Sequence, residues 1–127
     1  MTPFIDAEEA WFWFMASEKA RAEGAKIERG NDQPERPCVP TDIYVVVTRL
    51  RQQEQLKAYH MIVLKAFGQR FMPPDPTVFG RNGGGEMRDE RKASEWWNEA
   101  MDLIEPELRK KGIVEQRSNI TRLRGRA

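Results

Sequence analysis

The apolar positions of the chain fall into four groups whose spacing predicts helices, and the first of them overruns its own pattern. Asp6 followed by Glu9 is a capping-box signature, with acid at the positive end of a helix. The predicted helix spans residues 7–23, with Lys19 and Arg21 in its closing turns and Gly24 as a left-handed terminator. Ala7, Ala10, Trp11, Phe14 and Met15 share one face. Phe12 and Trp13 fall on the others, so the run Trp11-Phe12-Trp13-Phe14-Met15 cannot be buried by a single stripe. A helix that is apolar all round has to be covered all round. The run is therefore either the central pillar of a small helical domain or a docking face for a partner, through Trp11, Phe12 and Trp13.

Periodicity fades over residues 25–40. Pro34, Pro37 and Pro40 make this stretch an extended connector. In residues 41–68 propensity and pattern disagree. Ile43-Tyr44-Val45-Val46-Val47-Thr48 is strand-like in composition. Pro40-Thr41-Asp42 nevertheless reads as a helix start, and Ile43, Val46, Val47 and Leu50 recur at helical spacing. After the polar break Arg51-Gln52-Gln53-Glu54, a second helical pattern runs through Leu56, Tyr59, Val63 and Phe67 and stops at Gly68 as a C-terminal cap. The segment predicts two short helices joined by a tight turn.

Pro73-Pro74-Asp75-Pro76 and the glycines from Gly80 to Gly85 predict an irregular, flexible loop. The glycines lack the Gly-Lys-Ser/Thr ending of a phosphate loop. Over residues 88–111 a last helical stretch places Trp97, Ala100, Met101, Ile104 and Leu108 on one face and ends at Gly112. Pro106 is expected to kink it or divide it in two. The pattern as a whole predicts an all-α fold: a small helical bundle with a helix-turn-helix-like pair, a flexible Pro/Gly loop and a basic C-terminal tail. Residues 1–114 are read as one domain and residues 115–127 as the tail.

Composition narrows the function by exclusion. The 127 residues are 39% hydrophobic and 32% charged, and 21 basic against 20 acidic side chains leave a net charge of only +1. Distribution carries more than the total, because residues 1–35 hold eight acids and four bases and residues 109–127 hold seven bases and one acid. An acidic front and a basic tail suggest two contact surfaces. With Cys38 the only cysteine and His60 the only histidine, no internal disulfide and no common Cys/His zinc set can be assembled, and no cofactor is expected. No secretory leader or membrane-length apolar run is evident, so a cytoplasmic protein without membrane contact is expected. Asn119-Ile120-Thr121 is then a coincidental sequon. Cys38 has no activating neighbour in the sequence, and His60 lies at the edge of a packed helical face. Asp89, Glu90, Glu95 and Glu99 with Arg91 and Lys92 read as a solvated, salt-bridged face, so no enzyme is expected.

The helical pair of residues 41–68 is the main functional lead. In a DNA-binding helix-turn-helix the first helix braces the second, whose outward face enters the major groove. That face would offer Gln55, Lys57, Ala58, Met61 and Lys65, while Arg49, Arg51 and Arg70 would hold phosphates. From Arg49 to Arg70 five bases stand against Glu54, a local charge of +4. Arg117, Arg122, Arg124 and Arg126 of the tail add further candidate phosphate contacts. The turn lacks the glycine often found there.

Asp42-Ile43-Tyr44, Arg49-Leu50, Leu56, His60, Val63-Leu64 and Phe67-Gly68, followed by Pro73-Pro74-Asp75-Pro76, resemble the small sigma-factor-region-4-like proteins and the late-transcription activators and antiterminators of phages and bacterial gene transfer agents. Together with the Ala10-to-Phe14 stretch, Trp97, Ala100-Met101 and Lys111-Gly112-Ile113-Val114, the chain also looks like a group of short bacterial proteins. The resemblance spans roughly residues 7–114. It implies a transcription regulator that contacts promoter DNA and RNA polymerase or another transcription protein. The alternative is a non-enzymatic adaptor that docks a partner through the aromatic N-terminal helix and touches no nucleic acid.

Overall fold

The computed structural model describes residues 2–24, 35–81 and 87–116. Among these residues the fold is a small helical bundle of α1 (Ala7–Ala22), α2 (Pro40–Gln52), α3 (Ala58–Gln69) and α4 (Arg91–Lys110). A two-stranded ladder, β1 (Phe79–Arg81) with β2 (Met87–Asp89), lies between α3 and α4. One hydrophobic cluster gathers side chains from Phe4 to Val114.

Helix α1 starts as its sequence predicts, with the Asp6 carboxylate accepting the Glu9 amide at 2.9 Å. The return bond goes one residue further out, from the Ile5 amide to the Glu9 carboxylate at 2.7 Å. Another free amide of the first turn, that of Ala7, donates to Glu105 of α4 at 3.0 Å, so a neighbouring helix completes the cap. Gly24 ends the helix at φ +71°.

The aromatic run is the pillar of the bundle. Trp11 and Phe14 are buried, and the Trp11 indole N–H donates to the Leu64 carbonyl of α3 at 2.9 Å. Phe12 stacks on Trp97 of α4 with centroids 5.6 Å apart, and Trp13 packs on Phe4 at 5.2 Å. Phe14 stacks on Tyr44 of α2 at 5.8 Å. Each side of the helix that carries an aromatic ring thus meets a different element, with Phe12, Trp13 and Met15 left half-buried.

Helix α2 forms despite its valines because Ile43, Val46, Val47 and Leu50 all turn inward. It begins at Pro40 itself, one residue ahead of the predicted start. Proline suits the first helical position, where its missing N–H would have had no partner. Asp42 caps from inside the helix, accepting the Val39 amide at 2.9 Å. Beyond Gln52 the turn is closed by Glu54 at φ +62°, which takes the left-handed conformation that a glycine would otherwise supply. α2 and α3 are each held chiefly by α1 and α4 rather than by each other.

Three expectations are corrected. Gly68 is not a terminator: α3 runs on to Gln69, and Phe71 takes the left-handed position at φ +55°. The Pro/Gly loop is not wholly irregular, since Phe79 pairs with Asp89 and Arg81 with Met87 in antiparallel register. Residues 82–86, which carry most of the glycine run, lie outside the described residues. Of the kink or division expected at Pro106, division does not occur, and α4 is a single 20-residue element. Pro106 is exposed, on the face away from Ile104 and Leu108, so the Asp102 carbonyl that it deprives of a bond can turn to water. α4 begins at Arg91 rather than residue 88 because Met87–Asp89 is taken by the ladder.

After α4, Gly112 turns the chain at φ +78° and brings Val114 beside Phe4. The Phe4 amide donates to the Ile113 carbonyl and the Glu115 amide to the Phe4 carbonyl, both at 2.9 Å. Residues before α1 are thereby joined to residues after α4. Most of the connector, residues 25–34, and the basic tail from residue 117 onward lie outside the described residues.

Candidate nucleic-acid interface

Helix α3 carries no carboxylate, and its solvent face presents Ala58, Tyr59, Ile62, Lys65, Ala66 and Gln69. Its other side buries His60, Val63, Leu64, Phe67 and Gly68. The exposed face is more apolar than the sequence reading expected. Ile62, absent from that reading, is 65% exposed, the largest value among the large hydrophobic side chains described. Its signal was available: Val63 and Phe67 define the packed face, and Ile62 lies about 100° off that stripe.

The predicted contact residues separate into three groups. Arg49, Lys57 and Lys65 are exposed and, among the described residues, have no carboxylate partner. Arg51 is also exposed, but its guanidinium reaches back to the Leu56 carbonyl at 3.4 Å and braces the turn. Gln55 sits in the turn rather than on the helix, where its amide meets Gln53 at 3.3 Å. Two residues differ from expectation. Met61 is half-buried and packs on the core, because it follows His60 at the boundary of the inward face. Arg70 is engaged, lying over the Phe67 ring at 4.8 Å and 3.9 Å from the Glu90 carboxylate. Arg117, Arg122, Arg124 and Arg126 lie outside the described residues. Of the candidate partner-binding residues, Trp11 is buried in the core, while Phe12 and Trp13 are half-buried and pack against it.

The acidic face of α4 is less uniform than its spacing suggests. Lys92 and Glu95 form the expected exposed pair at 3.1 Å, and Arg91 meets Asp89 at 2.7 Å. That double hydrogen bond from Arg91 holds the Asp89 carboxyl down at about 2. Glu90, by contrast, is buried and accepts the Asp75 amide at 2.8 Å, tying the loop after α3 to the start of α4. Glu99 meets the Nε2 of His60 at 2.8 Å. His60 is only 4% exposed, and its Nδ1 accepts the Lys57 amide at 2.9 Å. Both ring nitrogens are thus occupied by structural bonds.

Cys38 is half-buried, and burial, then the nearby Asp42 charge, pushes its thiol up to about 11. A thiol in that state is a poor nucleophile near neutral pH. Among the described residues no group of His, Cys, Asp and Glu side chains is arranged to hold a metal ion. No described helix is long and apolar enough to cross a membrane. A shallow groove lined by Val46, Arg49, Leu50, Gln53 and Glu107 runs between the ends of α2 and α4.

The class defined by these observations is an all-helical bundle with one carboxylate-free, outward-facing helix. No family model, curated protein or solved structure matches the chain.

Proposed function

We propose that the protein is a transcription regulator that contacts DNA through the α2–α3 pair, with α3 as the helix offered to the major groove. The observation that carries this reading is the carboxylate-free exposed face of α3, which starts at Lys57 and carries Lys65, both without a carboxylate partner among the described residues. Phosphate contacts of this kind dominate affinity and set orientation. With 12 residues α3 is roughly 18 Å long, enough to present several side chains along the groove. Ile62 and Ala66 suit apolar contact with thymine methyl groups, and Gln69 suits an adenine edge. RNA polymerase or another transcription protein is the further partner, as the resemblance implies.

Gel-shift titrations at several salt concentrations test the reading. Lys57→Ala and Lys65→Ala should each weaken binding and lower the log–log salt slope by about 0.9. Ile62→Ala should change sequence preference instead. No binding at low salt, or a slope unaltered by either lysine change, overturns the proposal.

A second reading is favoured by one observation. Tyr59 and Ile62 on α3, with Phe71 and Met72 just beyond it, are exposed large apolar side chains. They suit a protein-docking adaptor whose surface is α3 rather than the aromatic N-terminal helix. Loss of a protein partner on Ile62→Ala, without any DNA binding, supports it.

A further inference from the structure

The single histidine joins the first turn of α3 to helix α4. From the third position of α3 it caps the helix, its Nδ1 accepting the backbone N–H of Lys57 at 2.9 Å. From the far side of the ring, Nε2 meets the Glu99 carboxylate of α4 at 2.8 Å. The ring is 4% exposed, so water cannot readily replace either bond. An Nδ1 that accepts an amide carries no proton of its own. The neutral ring must then hold its hydrogen on Nε2 and donate it to Glu99.

The geometry points to a proton-sensitive cap: uptake of a proton at His60 releases the first turn of α3 while leaving that helix tethered to α4. A second proton can enter only at Nδ1, where it meets the Lys57 N–H, and two donors cannot share a hydrogen bond. On the Nε2 side the change is favourable, because an imidazolium facing Glu99 is a charge-assisted pair. Among the described residues, three charged or titratable side chains contact the ring or the cap beside it. Glu99 faces it from α4, and Tyr59 of α3 touches it with centroids 4.5 Å apart. Arg51, from the end of α2, reaches the Leu56 carbonyl beside the cap. The Lys57 side chain points to solvent. From α1, Trp11 and Met15 reach α3, and neither carries a charge. Glu99 thus draws the proton in, and the Lys57 amide is the bond it breaks. The end of α3 affected carries Lys57 and Ala58, so a partner gripping that end, DNA or protein, would sense the proton. The inference concerns α3 itself and does not depend on which partner binds.

Nitrogen-15 and amide-exchange NMR on the full chain test it directly. At neutral pH the imidazole shifts should report the Nε2–H tautomer. Through the His60 titration the protection of the Lys57 amide, corrected for intrinsic exchange, should fall about three- to tenfold, the effect of one lost hydrogen bond. His60→Gln should abolish that pH response, since a glutamine at this position can accept the amide as in a capping box and does not titrate. An Nδ1–H tautomer at neutral pH, Lys57 protection that does not follow the titration, or the same response in His60→Gln would overturn the proposal.

Discussion

Gly68 sits where α3 crosses the aromatic helix, and replacing it with alanine tests the packing of the whole bundle. A Cβ added there would lie 2.7 Å from the Trp11 Nε1 and 2.9 Å from the Met15 Cγ. Both distances are well inside van der Waals contact. Trp11 cannot retreat without stretching its 2.9 Å bond to the Leu64 carbonyl, one turn before Gly68. Overpacking of this kind costs about 1–3 kcal/mol, and a buried indole N–H left without its acceptor costs about 1–3 kcal/mol more. Against this, alanine in a helix interior is favoured over glycine by about 1 kcal/mol. The balance is a loss of about 1 kcal/mol if the hydrogen bond holds and about 3 kcal/mol if it breaks outright. For a chain of this length that lowers Tm by roughly 3–5 °C or roughly 9–15 °C respectively. Urea and thermal melts followed by tryptophan fluorescence measure it. In a double-mutant cycle, Trp11→Phe removes the clashing nitrogen, so the cost of Gly68→Ala should shrink in that background. A Gly68→Ala protein as stable as the parent, or with equal cost in both backgrounds, would refute the close approach.

Two other outcomes follow from the core and from Cys38. Trp11→Ala or Phe14→Ala should cost about 3–5 kcal/mol, a large share of the stability of a domain this size, and calorimetry should find the variants largely unfolded near 37 °C; unchanged melts would mean that the aromatic run is surface rather than core. Cys38, with its thiol pushed up to about 11, should react with iodoacetamide at a rate still climbing between pH 9 and 11. Because the folded state holds that proton more tightly, its contribution to stability is intact below the ordinary thiol value of 9.0 and is lost as pH rises through about 11. A rate that levels off near pH 9 would contradict the burial.

How far the fold was legible depended on the range of the interaction that decides each feature. The start of α1 at Asp6 and its end at Gly24 follow from bonds within a few residues, while the helical state of the valine-rich segment before Leu50 was legible from the helical spacing of the residues it buries. The inward faces of α2 and α4 were legible because period and burial coincide there. Gly68 was not, because a glycine that ends a helix and a glycine that admits a tryptophan look alike in sequence. The left-handed positions fell instead on Glu54 and Phe71, residues whose propensities do not announce it. The ladder of Phe79–Arg81 with Met87–Asp89 was hidden because three-residue strands carry too little pattern.

The candidate interface shows the same division. Basic residues and their rough placement between Arg49 and Arg70 were readable, but their availability was not. Arg70 is drawn to Phe67 and Glu90, and Met61 is turned into the core. Sequence by itself determined the helical class, the two ends of α1 and the inward stripes, all of which rest on residue chemistry and on neighbours within two turns. Tertiary structure alone decided which elements the aromatic run meets and that His60 bridges Lys57 and Glu99. Those outcomes depend on which helix lies against which, a sum of long-range contacts that no local pattern encodes.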